Sequence, residues 1–182
     1  MTDFKTHTID SAPAAARPLL EGAKANFGFL PNLLGTMATA PATLEGYLTI
    51  TGIFNKTNLS ETERQIILMT NNRLNGCEYC MAAHTTLSKM GGVPQDVIDA
   101  LRNNTAIADR KLEALRMFTA EVNQTRGHPS KTTTDNLLAA GYTEQTILEV
   151  ILGTAMKLLS NYVNHITKTE VDGVFQANAW TA

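Results

Sequence analysis

Cysteine, tryptophan and histidine are all scarce in this chain: its 182 residues include two Cys, one Trp and four His. So few cysteines exclude a disulfide-stapled scaffold, which carries several pairs. No apolar run approaches the roughly 18 residues of a membrane span, and the opening MTDFKTHTID lacks the apolar stretch of a secretory signal. The expected setting is the cytoplasm, with no membrane partner. An excess of one charge is missing too, since 15 Lys and Arg face 17 Asp and Glu for a net charge of −2. With no Lys/Arg cluster, a nucleic-acid partner is not expected. No segment alternates with period two for long enough to make a strand, so the fold class is all-α. At 43% hydrophobic, the chain suits a single domain, 1–182, behind a polar N-terminal arm ending near Ala12.

What is present is helical punctuation. PAAARPLLEGAKANFG predicts a helix stopped by Gly28, and Pro41 separates two apolar segments between residues 29 and 54. Ser60 and Glu63 spell a capping box, starting a helix that the Asn75-Gly76 pair ends. The next helix begins at the cysteines and runs to Met90, where Gly91 and Gly92 stop it and Pro94 opens another at a first-turn position. Leu112, Leu115, Phe118 and Val122 mark an amphipathic helix, SKTTTDNLLAAG a short one. From Thr143, an apolar stripe runs through Ile147, Leu148, Ile151, Leu152, Ala155, Leu158, Leu159, Tyr162, Val163 and Ile166. That stripe and the apolar stretch at 31–54 exceed what one small core requires, which favours self-association.

Both thiols fall in one stretch, LNGCEYCMAAHTTLSKMGG. On a helix Cys77, Cys80 and His84 stand at i, i+3 and i+7, all on one face. The unpaired amides of a helix start and an imidazole able to take a proton both favour a thiolate. A second thiol one turn away can condense with a sulfenic acid on the first, giving a disulfide and water, which is half of a peroxidase cycle. Cys80, one turn from His84, is the expected attacking thiolate, and Cys77 the thiol that resolves it and exchanges with an external reductant; the reverse order stays open. Two other readings also stay open. The pair could be half of a zinc site, although a closed site wants a fourth ligand and only His7, His128 and His165 remain among the histidines. It could also be two ordinary buried cysteines.

Through FGFLPNLLGTMATAPATLEGY, LSETERQIILMTNNRLNGCEYCMAAHTTLSKMGG and the later helices to about Val174, the sequence resembles the AhpD-like alkylhydroperoxidase branch of the carboxymuconolactone decarboxylase family. The resemblance implies an all-helical AhpD-like fold with the CxxC opening a helix, and assembly into a homo-oligomer, trimer or hexamer. It implies a Cys77/Cys80 dithiol that reduces hydrogen peroxide or organic hydroperoxides, assisted by His84, with no cofactor and no metal. A dithiol reductant, lipoylated or thioredoxin-like, would restore the thiols. The alternatives are a non-catalytic helical oligomer binding zinc or a protein through the same site, and a lactone decarboxylase-like activity, whose chemistry needs no dithiol. One position departs: where such proteins commonly have a glutamate twelve residues before the first cysteine, this chain has Gln65. Across an antiparallel turn at Asn75-Gly76, residue 65 is expected to face His84, where a glutamine can bond the imidazole but not accept its proton. Restoring a glutamate there is expected to speed peroxide reduction roughly tenfold. His165 is a candidate second proton carrier, or else an exposed residue on a polar face with Asn161 and Asn164. Tyr79 is expected to pack, and Trp180 to cover either its own core or a neighbouring subunit.

Overall fold

A computed structural model describes residues 3–182. Its helices are α1 (Arg17–Phe27), α2 (Asn32–Met37), α3 (Pro41–Phe54), α4 (Glu61–Leu74), α5 (Glu78–Met90), α6 (Gln95–Asn103), α7 (Arg110–Gln124), α8 (Lys131–Ala139) and α9 (Glu144–Thr167). Short 3-10 turns occupy Ala14–Ala16 and Gly173–Asn178, and the described residues contain no strand. The all-α expectation holds. No helix among the described residues is long and apolar enough to cross a membrane.

The punctuation acts as expected. Ser60 Oγ accepts from the Glu63 amide at 3.2 Å while Glu63 Oε2 accepts from the Ser60 amide at 2.8 Å, closing the capping box that starts α4. Gly76 takes a left-handed φ of 66°, a turn that a side chain would strain, and reverses the chain into α5. Pro94 stands one residue earlier than expected, as the N-cap of α6. Ser130 caps α8 by accepting from the Thr133 amide, which makes the short segment a helix.

Helix α4 is central, lying between α7, α5 and α9. Phe54, Ile66, Ile67, Met69, Met81, Leu115, Phe118 and Val150 fill the main core. A second apolar cluster holds Leu20, Leu33, Leu34, Met37, Leu44 and Phe175 around Cys77 and Cys80, so the N-terminal helices roof the cysteine pair. Gly153 lets α9 approach closely: a Cβ there would lie 2.7 Å from Ile67 Cγ2 and 2.8 Å from Phe54 Cε2.

Helix α9 turns only part of its apolar stripe inward, Ile147, Leu152 and Val163 packing on the cores. Leu148, Ile151, Tyr162 and Ile166 are exposed, whereas Thr154, Lys157, Ser160, Asn161 and Asn164 are buried. The polar-face reading of Asn161 and Asn164 is therefore corrected, because a ladder of buried carboxamides gives that face its partners. Asn161 Nδ2 donates to Asn72 Oδ1 at 3.0 Å and Asn75 Nδ2 donates to Asn161 Oδ1 at 2.8 Å, while Asn123 Nδ2 donates to Asn71 Oδ1 at 2.8 Å. Satisfied amides bury at little cost, and they tie α4 to α7 and α9. Trp180 covers its own chain, donating from Nε1 to the Arg102 carbonyl at 3.2 Å under the Arg73 guanidinium.

Candidate functional site

Cys77 is the N-cap of α5 and Cys80 lies in its first turn. The turn is held from α4, where the Asn72 carbonyl accepts the Cys77 amide at 2.9 Å and Asn72 Nδ2 donates to the Cys80 carbonyl at 3.3 Å. Both cysteines are free thiols and both are buried. From α9, Asn164 Nδ2 reaches Cys80 Sγ at 3.2 Å and Cys77 Sγ at 3.7 Å, so one amide touches both sulfurs.

Position 65 faces the imidazole, with Gln65 Oε1 2.9 Å from His84 Nδ1. On its other side Gln65 Nε2 donates to Glu61 Oε1 at 2.8 Å. An ionised carboxylate only accepts, so the glutamine gives its NH2 to Glu61 and its carbonyl to His84, which places the ring proton on Nδ1. Nε2 then offers its lone pair to Lys157 Nζ at 3.1 Å. No hydrogen bond joins the imidazole to either sulfur; a buried lysine, 1% exposed, stands between His84 and the cysteines. His165 is exposed and takes no part in this chain.

The charges follow from these contacts. Burial opposes a Cys80 thiolate, but the Cys77 S–H bond, the Lys157 ammonium and the Asn161 and Asn164 amides outweigh it and pull the thiol down to about 5. Cys77 moves up, because its proton is shared with the Cys80 sulfur, it is buried, and a neighbouring thiolate repels a second one. Burial and then the Lys157 charge keep His84 well below the usual imidazole range, hence neutral. Burial works against the Lys157 ammonium too, yet the negative charge on Cys80 holds its proton on.

Beside Cys80 lies a cavity of about 620 Å³, a size that suits a small organic ligand. Phe27, Phe29, Leu33, Leu48, Tyr79 and Phe175 make its walls mostly apolar, with Cys80, His84 and Lys157 among its polar groups. Tyr79 packs, as expected, and its hydroxyl donates to Asp172 Oδ2 at 2.6 Å. Among the described residues no three His, Cys, Asp or Glu gather as a metal site. An ammonium facing His84 Nε2 makes this imidazole a poor zinc ligand.

Residues 40–120 match the carboxymuconolactone decarboxylase family. That segment is similar to the family. Cys77, Cys80, His84 and Gln65 fall inside it, whereas Lys157, Asn161 and Asn164 come from α9, beyond the family segment. Around it the chain takes the AhpD-like fold. An alkylhydroperoxidase AhpD core structure, a peroxidase-related protein from Ralstonia eutropha JMP134, superposes with a TM-score of 0.83 at 20% identity, covering 94% of this chain and 93% of that one. A peroxidase-related protein from Silicibacter sp. TM1040 gives 0.81 at 19% identity, covering 97% and 94%. The debrominase Bmp8, as a cysteine-to-alanine variant in complex with 2,3,4-tribromopyrrole, also gives 0.81 at 19% identity, covering 98% and 96%. No curated protein sequence matches significantly.

Lys157 is the participant that sequence reasoning misses. A signal for it exists: Thr146, Val150, Gly153, Lys157, Ser160 and Asn164 recur at three- and four-residue steps on α9, parallel to the apolar stripe.

Proposed function

We propose that the chain is a dithiol peroxidase that reduces organic hydroperoxides with Cys80 as the attacking thiolate and Cys77 as the resolving thiol. The observation that carries this reading is the buried Cys80 sulfur facing an apolar cavity, with Lys157 lowering its pKa and the Cys77 thiol bonded to it.

The Cys80 thiolate attacks the distal oxygen of ROOH, breaking the O–O bond to give a sulfenic acid and an alkoxide. Lys157 gives the alkoxide a proton, and ROH leaves. With the thiolate gone, Cys77 loses the hydrogen bond and the repulsion from Cys80 that helped burial hold its pKa up, and its proton passes to the Lys157 amine. Cys77 sulfur then attacks the sulfenic sulfur, expelling hydroxide, which takes that proton and leaves as water. The reaction leaves a disulfide and a neutral Lys157. A dithiol HS–R–SH restores both: two electrons return to the sulfurs, and its two protons go to Cys77 and Lys157. His84, locked by Gln65 with Nδ1–H outward, positions the ammonium rather than taking the cysteine proton.

The test is single turnover of reduced protein with cumene hydroperoxide. One hydroperoxide should consume two thiols and release one alcohol; thiols that survive an excess of oxidant sink the reading, and one bound zinc per chain with protected thiols would replace it with the binding one. The aromatic cavity wall and the fold shared with Bmp8 support a second reading, a halogenated aromatic as the oxidant in place of the hydroperoxide. Halide release coupled to disulfide formation distinguishes it.

A further inference from the structure

The two sulfurs open onto different spaces. Cys80 borders the apolar cavity, and Cys77 borders a separate recess of about 340 Å³ between the start of α5 and the end of α9. Gly76, Glu78, Asn164, His165, Lys168 and Thr169 line this recess, which is far more polar. Asn164 belongs to it and is 5% exposed, with its amide nitrogen spent on the two sulfurs and its Oδ1 buried without a partner. An unmet acceptor beside a sulfur marks a place for an incoming donor such as a thiol S–H.

We propose that the dithiol centre has two doors: the oxidising substrate reaches Cys80 through the apolar cavity, and the reducing dithiol enters the polar recess to attack Cys77. This deepens the peroxidase reading and rests on it for the identity of the oxidant. Attack at Cys77 breaks the S–S bond with Cys80 as the leaving thiolate and forms a mixed disulfide between Cys77 and the reductant. The reductant's second thiol then attacks its own sulfur in that mixed disulfide, releasing Cys77 and leaving the reductant as an intramolecular disulfide. Leaving-group chemistry favours the same direction, since the lower-pKa thiol departs faster and Cys80 is the one stabilised as a thiolate. Cys77 itself is 1% exposed, so the recess admits a small or stem-borne dithiol rather than a flat protein surface.

The experiment separates the two half-reactions. The disulfide is formed with diamide, so the reduction step can be read whether or not hydroperoxides are the natural oxidant, and dithiothreitol is the reductant. His165 is exposed at the recess, and His165→Trp should slow reduction by about tenfold or more by blocking access, while oxidation of the reduced protein by cumene hydroperoxide stays at the wild-type rate. Leu48→Trp, in the apolar cavity, should do the reverse. Reduction unchanged in His165→Trp, or slowed instead by Leu48→Trp, overturns the two-door arrangement. Should cumene hydroperoxide fail to oxidise even the wild type, the peroxidase reading falls, and the reduction rates of the diamide-oxidised variants still decide between two doors and one.

Discussion

Replacing Lys157 with methionine removes the buried cation but keeps most of the side chain's volume, so it isolates the charge. A unit charge beside a thiolate, at an effective dielectric of about 20, is worth roughly 3 kcal/mol at a separation of a few ångströms. At 1.36 kcal/mol per unit this is about two pKa units. The Cys80 thiol, pulled down to about 5 in the native site, should then titrate near 7. Because the native pKa lies below the ordinary value, the thiolate is present above it and lost as pH falls through it. The variant loses its thiolate at a higher pH. Alkylation of Cys80 by iodoacetamide should therefore drop about tenfold at pH 6 and not at all at pH 9, whereas single-turnover hydroperoxide reduction should fall at both, because the variant also lacks the proton that Lys157 gives the alkoxide. The assay is alkylation rate against pH, with circular dichroism to confirm the fold. A folded Lys157→Met protein whose alkylation midpoint has not moved refutes the claim that this lysine activates Cys80.

Four further outcomes follow from the same geometry. Cys80→Ser should abolish hydroperoxide consumption, whereas Cys77→Ser should accumulate a sulfenic acid trapped by dimedone; the opposite pattern inverts the two roles. Gln65→Glu should slow turnover near neutral pH rather than give the gain expected from sequence, because residue 65 bonds Glu61 as well as His84, and a protonated imidazole would face the Lys157 ammonium; a faster variant contradicts this. Gly153→Ala should cost roughly 1–3 kcal/mol through the clash with Ile67 and Phe54, lowering the melting temperature by several degrees. The exposed stripe of Leu148, Ile151, Tyr162 and Ile166 supports a homo-oligomer, so sedimentation should find a species heavier than 19.7 kDa, and Ile151→Glu should weaken it.

Local signals in the sequence carried the helices well. Ser60 with Glu63, Asn75-Gly76 and Gly28 each fix a boundary through a hydrogen bond or a left-handed φ that depends on neighbouring residues alone. The pairing of Gln65 with His84 was legible for a related reason, since a short turn sets the register of two antiparallel helices. Helix α9 had the right period, but half of its apolar stripe faces outward. Apolar residues normally point inward, and that expectation fails for half of the stripe because Asn71, Asn72, Asn75 and Asn123 supply partners for a polar face, an arrangement visible only once three helices are assembled. Lys157 was missed for the same reason: its role depends on a contact 73 residues away in sequence.

In the proposed cycle Cys77 and Cys80 form a dithiol that spends its two electrons on one hydroperoxide. The most direct measurement is mass spectrometry of the reduced protein after one equivalent of cumene hydroperoxide, with free thiols alkylated and the released alcohol quantified. A dithiol peroxidase should give one alcohol per chain and a loss of two hydrogens confined to the peptide that joins Cys77 to Cys80. Two alkylated cysteines beside intact hydroperoxide would contradict it.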